Sequence, residues 1–132
     1  MLPDGGDVLN IAGGEFIHKV KSADTNNVFS VIEIHTPPGE AVAAHVHENE
    51  DEIEVSLGDQ TMLAVPGVMA LLPRGIPHGF TNVGDTPSVV LDTILPGQFD
   101  NYFVEMAALY NNGEPTQEEV DALSEKFSIR YV

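Results

Sequence analysis

The sequence predicts a mostly β single domain, a small sandwich or barrel followed by two short C-terminal helices. Nine prolines and twelve glycines punctuate short apolar runs at intervals of about ten residues, the cadence of a sheet-rich fold. Beyond Pro96 and Gly97 the rhythm changes, and apolar residues recur three and four apart, the spacing of a helix face. At 132 residues with 42% apolar content the chain has the length of one domain and the means to bury one modest core. The single domain therefore takes in residues 1–132, with strands over about 8–95 and a helical segment over about 97–127.

In chain order, strands are expected at Val8 to Ile11, Glu15 to Val20, Val28 to Ile34, Ala41 to His47, Glu52 to Leu57, Thr61 to Val65, Val68 to Leu72, Gly79 to Asn82 and Val89 to Leu95. Turn chemistry separates them: Ala12 to Gly14, Asp24 to Asn27, Pro37 to Glu40, Gly58 with Asp59, and Gly84 to Pro87. In the stretch QFDNYFVEMAALY, Phe99, Tyr102, Phe103, Met106, Leu109 and Tyr110 make one greasy helix face. Thr116 with Glu119 three residues later is a capping-box signature. It opens a second helix, Gln117 to about Lys126, with Val120, Leu123 and Phe127 on one face. The first helix is expected to cover an end or face of the sheet.

Five Lys and Arg against 21 Asp and Glu give a formal charge of -16. Phosphate backbones and anionic membrane surfaces are repelled by such a chain, so nucleic acid and membrane are poor partners. The absence of cysteine removes disulfides, thiolate metal sites and a cysteine nucleophile. The start, MLPDGGDVLN, has no basic and apolar leader pattern, and no segment approaches about 18 consecutive apolar residues, so a cytoplasmic protein is expected.

Residues two apart in a strand point to the same side, so His45 and His47 can aim at one point while Val46 faces away. A His-x-His pair on a strand is a preorganised chelate. A third histidine, His78, lies in a separate turn within GVMALLPRGIPHGFTN. His18 and His35 sit in strand runs without partner spacing and read as ordinary sheet residues.

These residues resemble the two motifs of the cupin superfamily, small jelly-roll-like β-barrels whose motifs supply metal ligands. The second motif, G-x5-P-x-G-x2-H-x3-N, is met at every fixed position by Gly67, Pro73, Gly75, His78 and Asn82. Pro73 and Gly75 shape a turn that delivers His78, and Asn82 secures backbone in the next turn. The first motif is met by Gly39, His45 and His47, but its second half is irregular. The resemblance implies an acidic ligand, with Glu52, Asp51 and Glu50 as the candidates in that order. Glu52 has the usual distance from His47 but lies one residue too close to Gly58; Asp51 has the right interval to Gly58. Parity adds a conflict, because Glu52, Glu54 and Ser56 share a face and Glu52 inside brings Glu54 in too. Only eight residues lie between Gly58 and Gly67, so about one strand of the usual pattern is expected to be missing after HENEDE.

From about Val28 onward the chain looks like single-domain cupins related to quercetin 2,3-dioxygenases. The resemblance implies a divalent transition metal (Fe, Mn, Ni, Cu or Zn) on His45, His47, His78 and Glu52, with Glu52 also a possible base. It implies a dioxygenase acting on a small oxygenated aromatic or enolisable molecule held by barrel residues such as Phe80, Met62 and Met69. Arg74 reads equally as a partner for an anionic ligand at the mouth and as a surface residue. A homodimer is expected as well. Two other classes stay open: a non-catalytic module that binds a small ligand, and a metal-independent isomerase or epimerase with His78 as base. So few Lys and Arg leave the last little to hold a diphosphate.

Overall fold

The computed structural model describes residues 5–49 and 63–132. Two antiparallel sheets face each other, with two helices packed at one side. The first sheet begins with a hairpin of β1 (Asp7–Ile11) and β2 (Gly14–Val20). Its two linking residues, Ala12 and Gly13, both have positive φ, 50° and 81°, as a tight hairpin turn matched to strand twist requires. Next come β3 (Ser30–Thr36), β4 (Ala41–His47), β5 (His78–Thr81) and β6 (Ser88–Ile94). After them follow α1 (Asp100–Asn111), α2 (Gln117–Lys126) and β7 (Ile129–Tyr131). The described strands form one sheet in the order β1-β2-β3-β6 and another in the order β5-β4-β7.

Strand β3 shows why the sheets face each other. Ser30, Ile32, Ile34 and Thr36 are buried and the residues between them are less so, the period-two pattern of a strand with one face in a core. Ile32 and Ile34 meet Ile94 of β6, Phe99, Tyr102 and Met106 of the helical segment, Leu123 of α2 and Ile129 of β7. Each such side chain contributes about 1.5–3 kcal/mol on burial, so the helices are part of the core. On the outer face of the first sheet, Glu33 lies between His35 (2.7 Å) and Lys19 (3.3 Å).

The start of α1 is pinned from inside. Asp100, at 1% exposure, accepts bonds from the Ser22 backbone N–H (2.8 Å) and the Ser22 hydroxyl (2.7 Å) and is bonded to His18 Nε2 (2.8 Å). An acid at this position also meets the positive end of the helix dipole. Helix α2 opens with the capping box that Thr116 and Glu119 predict, closed in both directions. His18 is thus a buried sheet residue tied to a helix start, and His35 a sheet residue paired with Glu33.

Some expected strands differ. The strand expected from Val28 starts at Ser30, because Asn26 and Asn27 both adopt left-handed φ, 54° and 61°. The strand expected at Val68 to Leu72 does not form, apart from a single bridge at Leu72. Val68, Met69 and Leu71 are exposed and pack against no neighbouring strand among the described residues, so alternation alone has no ladder to join. Residues 63–65 are likewise not strand. The expectations at Glu52 to Leu57, at Thr61 and Met62, and of a strand missing after HENEDE lie outside the described residues. Strand β7 was not foreseen. It follows a reversal at Ser128 (φ 54°) and is too short for periodicity to register.

Candidate metal centre

Strand β4 presents His45 and His47, and β5 begins with His78. His78 is the register partner of His45 across the β4–β5 ladder, so one pairing brings the third histidine beside the first. The ladder is irregular between Val42 and His45, and Gly79 lets the strands close in there. A Cβ on Gly79 would lie 2.8 Å from the Val42 carbonyl oxygen and 3.0 Å from Ala44 backbone. The turn before β5 is tied to β4 by Gly75, whose N–H donates to the His47 carbonyl (2.8 Å) from a left-handed φ of 80°. Asn82 locks the far side, donating to the Thr36 and Thr86 carbonyls and accepting from the Gly84 N–H.

The three imidazoles are all buried, and one nitrogen from each lies within 4.8 Å of the others. Ring centroids are 4.5 Å apart for His45 and His78, 4.9 Å for His45 and His47, and 5.4 Å for His47 and His78. His45 Nδ1 lies 2.7 Å from the Ala43 carbonyl and His78 Nδ1 3.0 Å from the Ile76 carbonyl. A carbonyl only accepts, so each Nδ1 carries the hydrogen and each Nε2 keeps a lone pair. His45 Nε2 and His47 Nε2 are 3.1 Å apart. Two nitrogens bound at about 2.1 Å to one ion at a right angle lie about 3 Å apart, so the donor set fits a metal. Phe99 closes the site from behind, its ring edge-on to His47 at 4.3 Å.

Glu52, Asp51 and Glu50 lie outside the described residues, as does Met62. Met69 is 82% exposed and does not face the barrel interior, a correction to its expected role: it follows the Gly67 turn on a segment that forms no strand among the described residues. Phe80 packs at the margin of the core, and Arg74 is exposed.

Beside His45 lies a cavity of about 180 Å³ between the sheets and the helices. Its walls are mostly apolar, from Phe16, Ile34, Phe103 and Met106, with His45, Asp92, Tyr102 and Tyr131 as polar members. The Tyr102 and Tyr131 hydroxyls are 2.7 Å apart. Burial, reinforced by Tyr131 nearby, pushes the Tyr102 phenol well above its ordinary value of 10.0, and burial also raises Tyr131. Both are hydrogen-bonding phenols at neutral pH, not phenolates. Asp92, at 1% exposure, escaped the sequence reading. Its signal was parity: in SVVLDTI it shares a face with Ser88, Val90 and Ile94, an acid at an inward position.

Residues 32–94 match the cupin domain family. No curated protein matches the chain significantly. Among solved structures, KdgF from Halomonas sp. aligns with a TM-score of 0.65 at 19% identity, over 76% of this chain and 96% of that one. Polyketide cyclase RemF from Streptomyces resistomycificus aligns at 0.58 with 22% identity, over 73% and 77%. A predicted oxalate decarboxylase from Thermotoga maritima aligns at 0.55 with 25% identity, over 68% and 90%. The fold is therefore that of a cupin, mostly β with two C-terminal helices, and the domain match supports the cupin superfamily. Among the described residues no helix is long and apolar enough to cross a membrane.

Proposed function

We propose that this cupin-fold chain is a metal-dependent dioxygenase of the quercetinase-like kind, with a divalent first-row ion on His45, His47 and His78. The observation that carries the proposal is the arrangement of the ring nitrogens. Two Nδ1–H groups are committed to main-chain carbonyls, which turns the Nε2 lone pairs toward one another in a buried site. Imidazole donors suit iron, manganese, nickel, copper or zinc. When bound, the ion supplies Lewis-acid activation and a template for a small oxygenated aromatic or enolisable substrate. The chain's own contribution is orientation and exclusion of water: Phe99 backs His47, and the apolar walls beside His45 dry the space where the substrate sits. Glu52, or Asp51 or Glu50, would complete the ligand set and could serve as the base. A homodimer belongs to the same proposal, supported by exposed Val89 and Leu91 on β6, the outer strand of its sheet among the described residues.

Elemental analysis of protein purified without added metal, followed by zinc titration of wild type, His45→Ala and His47→Ala, tests the site. Bound metal that both variants lose is the expected result; no metal, or equal binding in all three, would end the proposal. Oxygen uptake with small phenols and diketones on each reconstituted metal tests turnover. No uptake with any metal leaves a ligand-binding module.

A further inference from the structure

Resting on the metal-centre reading above, we infer that the cavity beside His45 takes a single-ring phenol or an enol of like size, with the Tyr102–Tyr131 pair donating the hydrogen bond that fixes a ligand oxygen. Size is the first argument. An apolar cavity of about 150 Å³ holds benzene, so the ~180 Å³ here holds one ring with a small substituent. A multi-ring flavonol exceeds that volume.

Wall chemistry is the second argument. The described lining carries no Lys or Arg and does carry Asp92, so away from the ion itself a dianion such as oxalate finds no countercharge there. Aromatic walls from Phe16 and Phe103, whose centroids are 5.5 Å apart, instead offer faces and edges to a ring.

The tyrosine pair is the third. Tyr131 is the register partner of His45 on the β4–β7 ladder, and the two rings lie 5.9 Å apart. Two hydroxyls share one hydrogen bond at 2.7 Å, and only one hydrogen lies between them. When Tyr102 donates, Tyr131 keeps an O–H to give to a third group; in the opposite sense the spare hydrogen sits on Tyr102, which also bonds Ser124. Both residues line the cavity, so a ligand oxygen there can receive it. The pair thus selects ligands with an acceptor oxygen at a set distance from the histidines.

Calorimetry on zinc-loaded protein, with catechol, quercetin and oxalate as probes, tests the inference. Wild type, Tyr102→Phe and Tyr131→Phe are compared after circular dichroism shows each folded. Catechol is expected to bind, each Phe variant to bind it about tenfold more weakly, and quercetin and oxalate to bind more weakly than catechol. Quercetin or oxalate binding as tightly as catechol, or both variants at wild-type affinity, would overturn it. Those outcomes leave the metal centre standing, since zinc is already bound. Failure to load zinc on the histidines overturns the metal-centre reading, and this inference with it.

Discussion

The ring of Phe99 stands at 90° to the ring of His47, with centroids 4.3 Å apart. Phe99 is 2% exposed and sits immediately before α1, so the residue that docks the helix also supports a histidine of the candidate site. Phe99→Ala is expected to cost about 3–5 kcal/mol of stability. It should also weaken zinc binding, because the His47 ring loses its backstop. Urea unfolding and zinc titration of the variant measure both, and Phe99→Leu should recover most of the stability.

Gly79→Ala separates site geometry from fold. The new Cβ would meet the Val42 and Ala44 backbone at 2.8 and 3.0 Å, and these main-chain atoms can yield only by parting β5 from β4. His78 then leaves His45. Zinc affinity is expected to fall by about tenfold or more, on the scale of losing an orienting partner, while the far-UV circular dichroism changes little.

Asp100→Ala strips three partners at once, leaving the Ser22 N–H, the Ser22 hydroxyl and the His18 ring nitrogen without their acceptor. A loss of about 3–5 kcal/mol is expected from breaking such a buried cluster. Hydrogen exchange should show the first turn of α1 opening earlier than its last. Asp100→Asn, which keeps the shape, should cost less.

Glu33 sets a pH dependence. The bond from His35, with help from Lys19, holds its carboxyl below the ordinary 4.5 against the opposing effect of burial. A lowered carboxylate value stabilises the fold above pH 4.5, and the benefit disappears as pH falls through the folded value. Glu33→Gln should therefore be less stable than wild type at neutral pH by at most about 1 kcal/mol, and the two should converge under acid conditions. Unfolding free energies measured from pH 7 down to about pH 3 check this.

How much of this was legible in the sequence depended on how local its cause was. Strand β4 and the His45, His47 pair follow from period-two geometry, and the α2 start follows from Thr116 and Glu119, all decided within a few residues. His78 was legible because Pro73 and Gly75 shape its turn and Gly67 and Asn82 complete the motif around it. Asp92 and the Tyr102–Tyr131 contact were not, because their meaning comes from elements far apart in the chain that meet only in the fold. The strand expected at Val68 to Leu72 failed for the same reason in reverse: local alternation was present, and among the described residues it forms no ladder beyond the bridge at Leu72.

Strand β7 carries one more consequence. It pairs Ile129 with His47 and Tyr131 with His45, so the strand that holds two of the histidines is flanked by residues made much later during synthesis. A ribosome-bound chain that has already released His45, His47 and His78 still lacks the neighbour that fixes them. Metal capture is therefore expected late, after α2 has emerged and turned back.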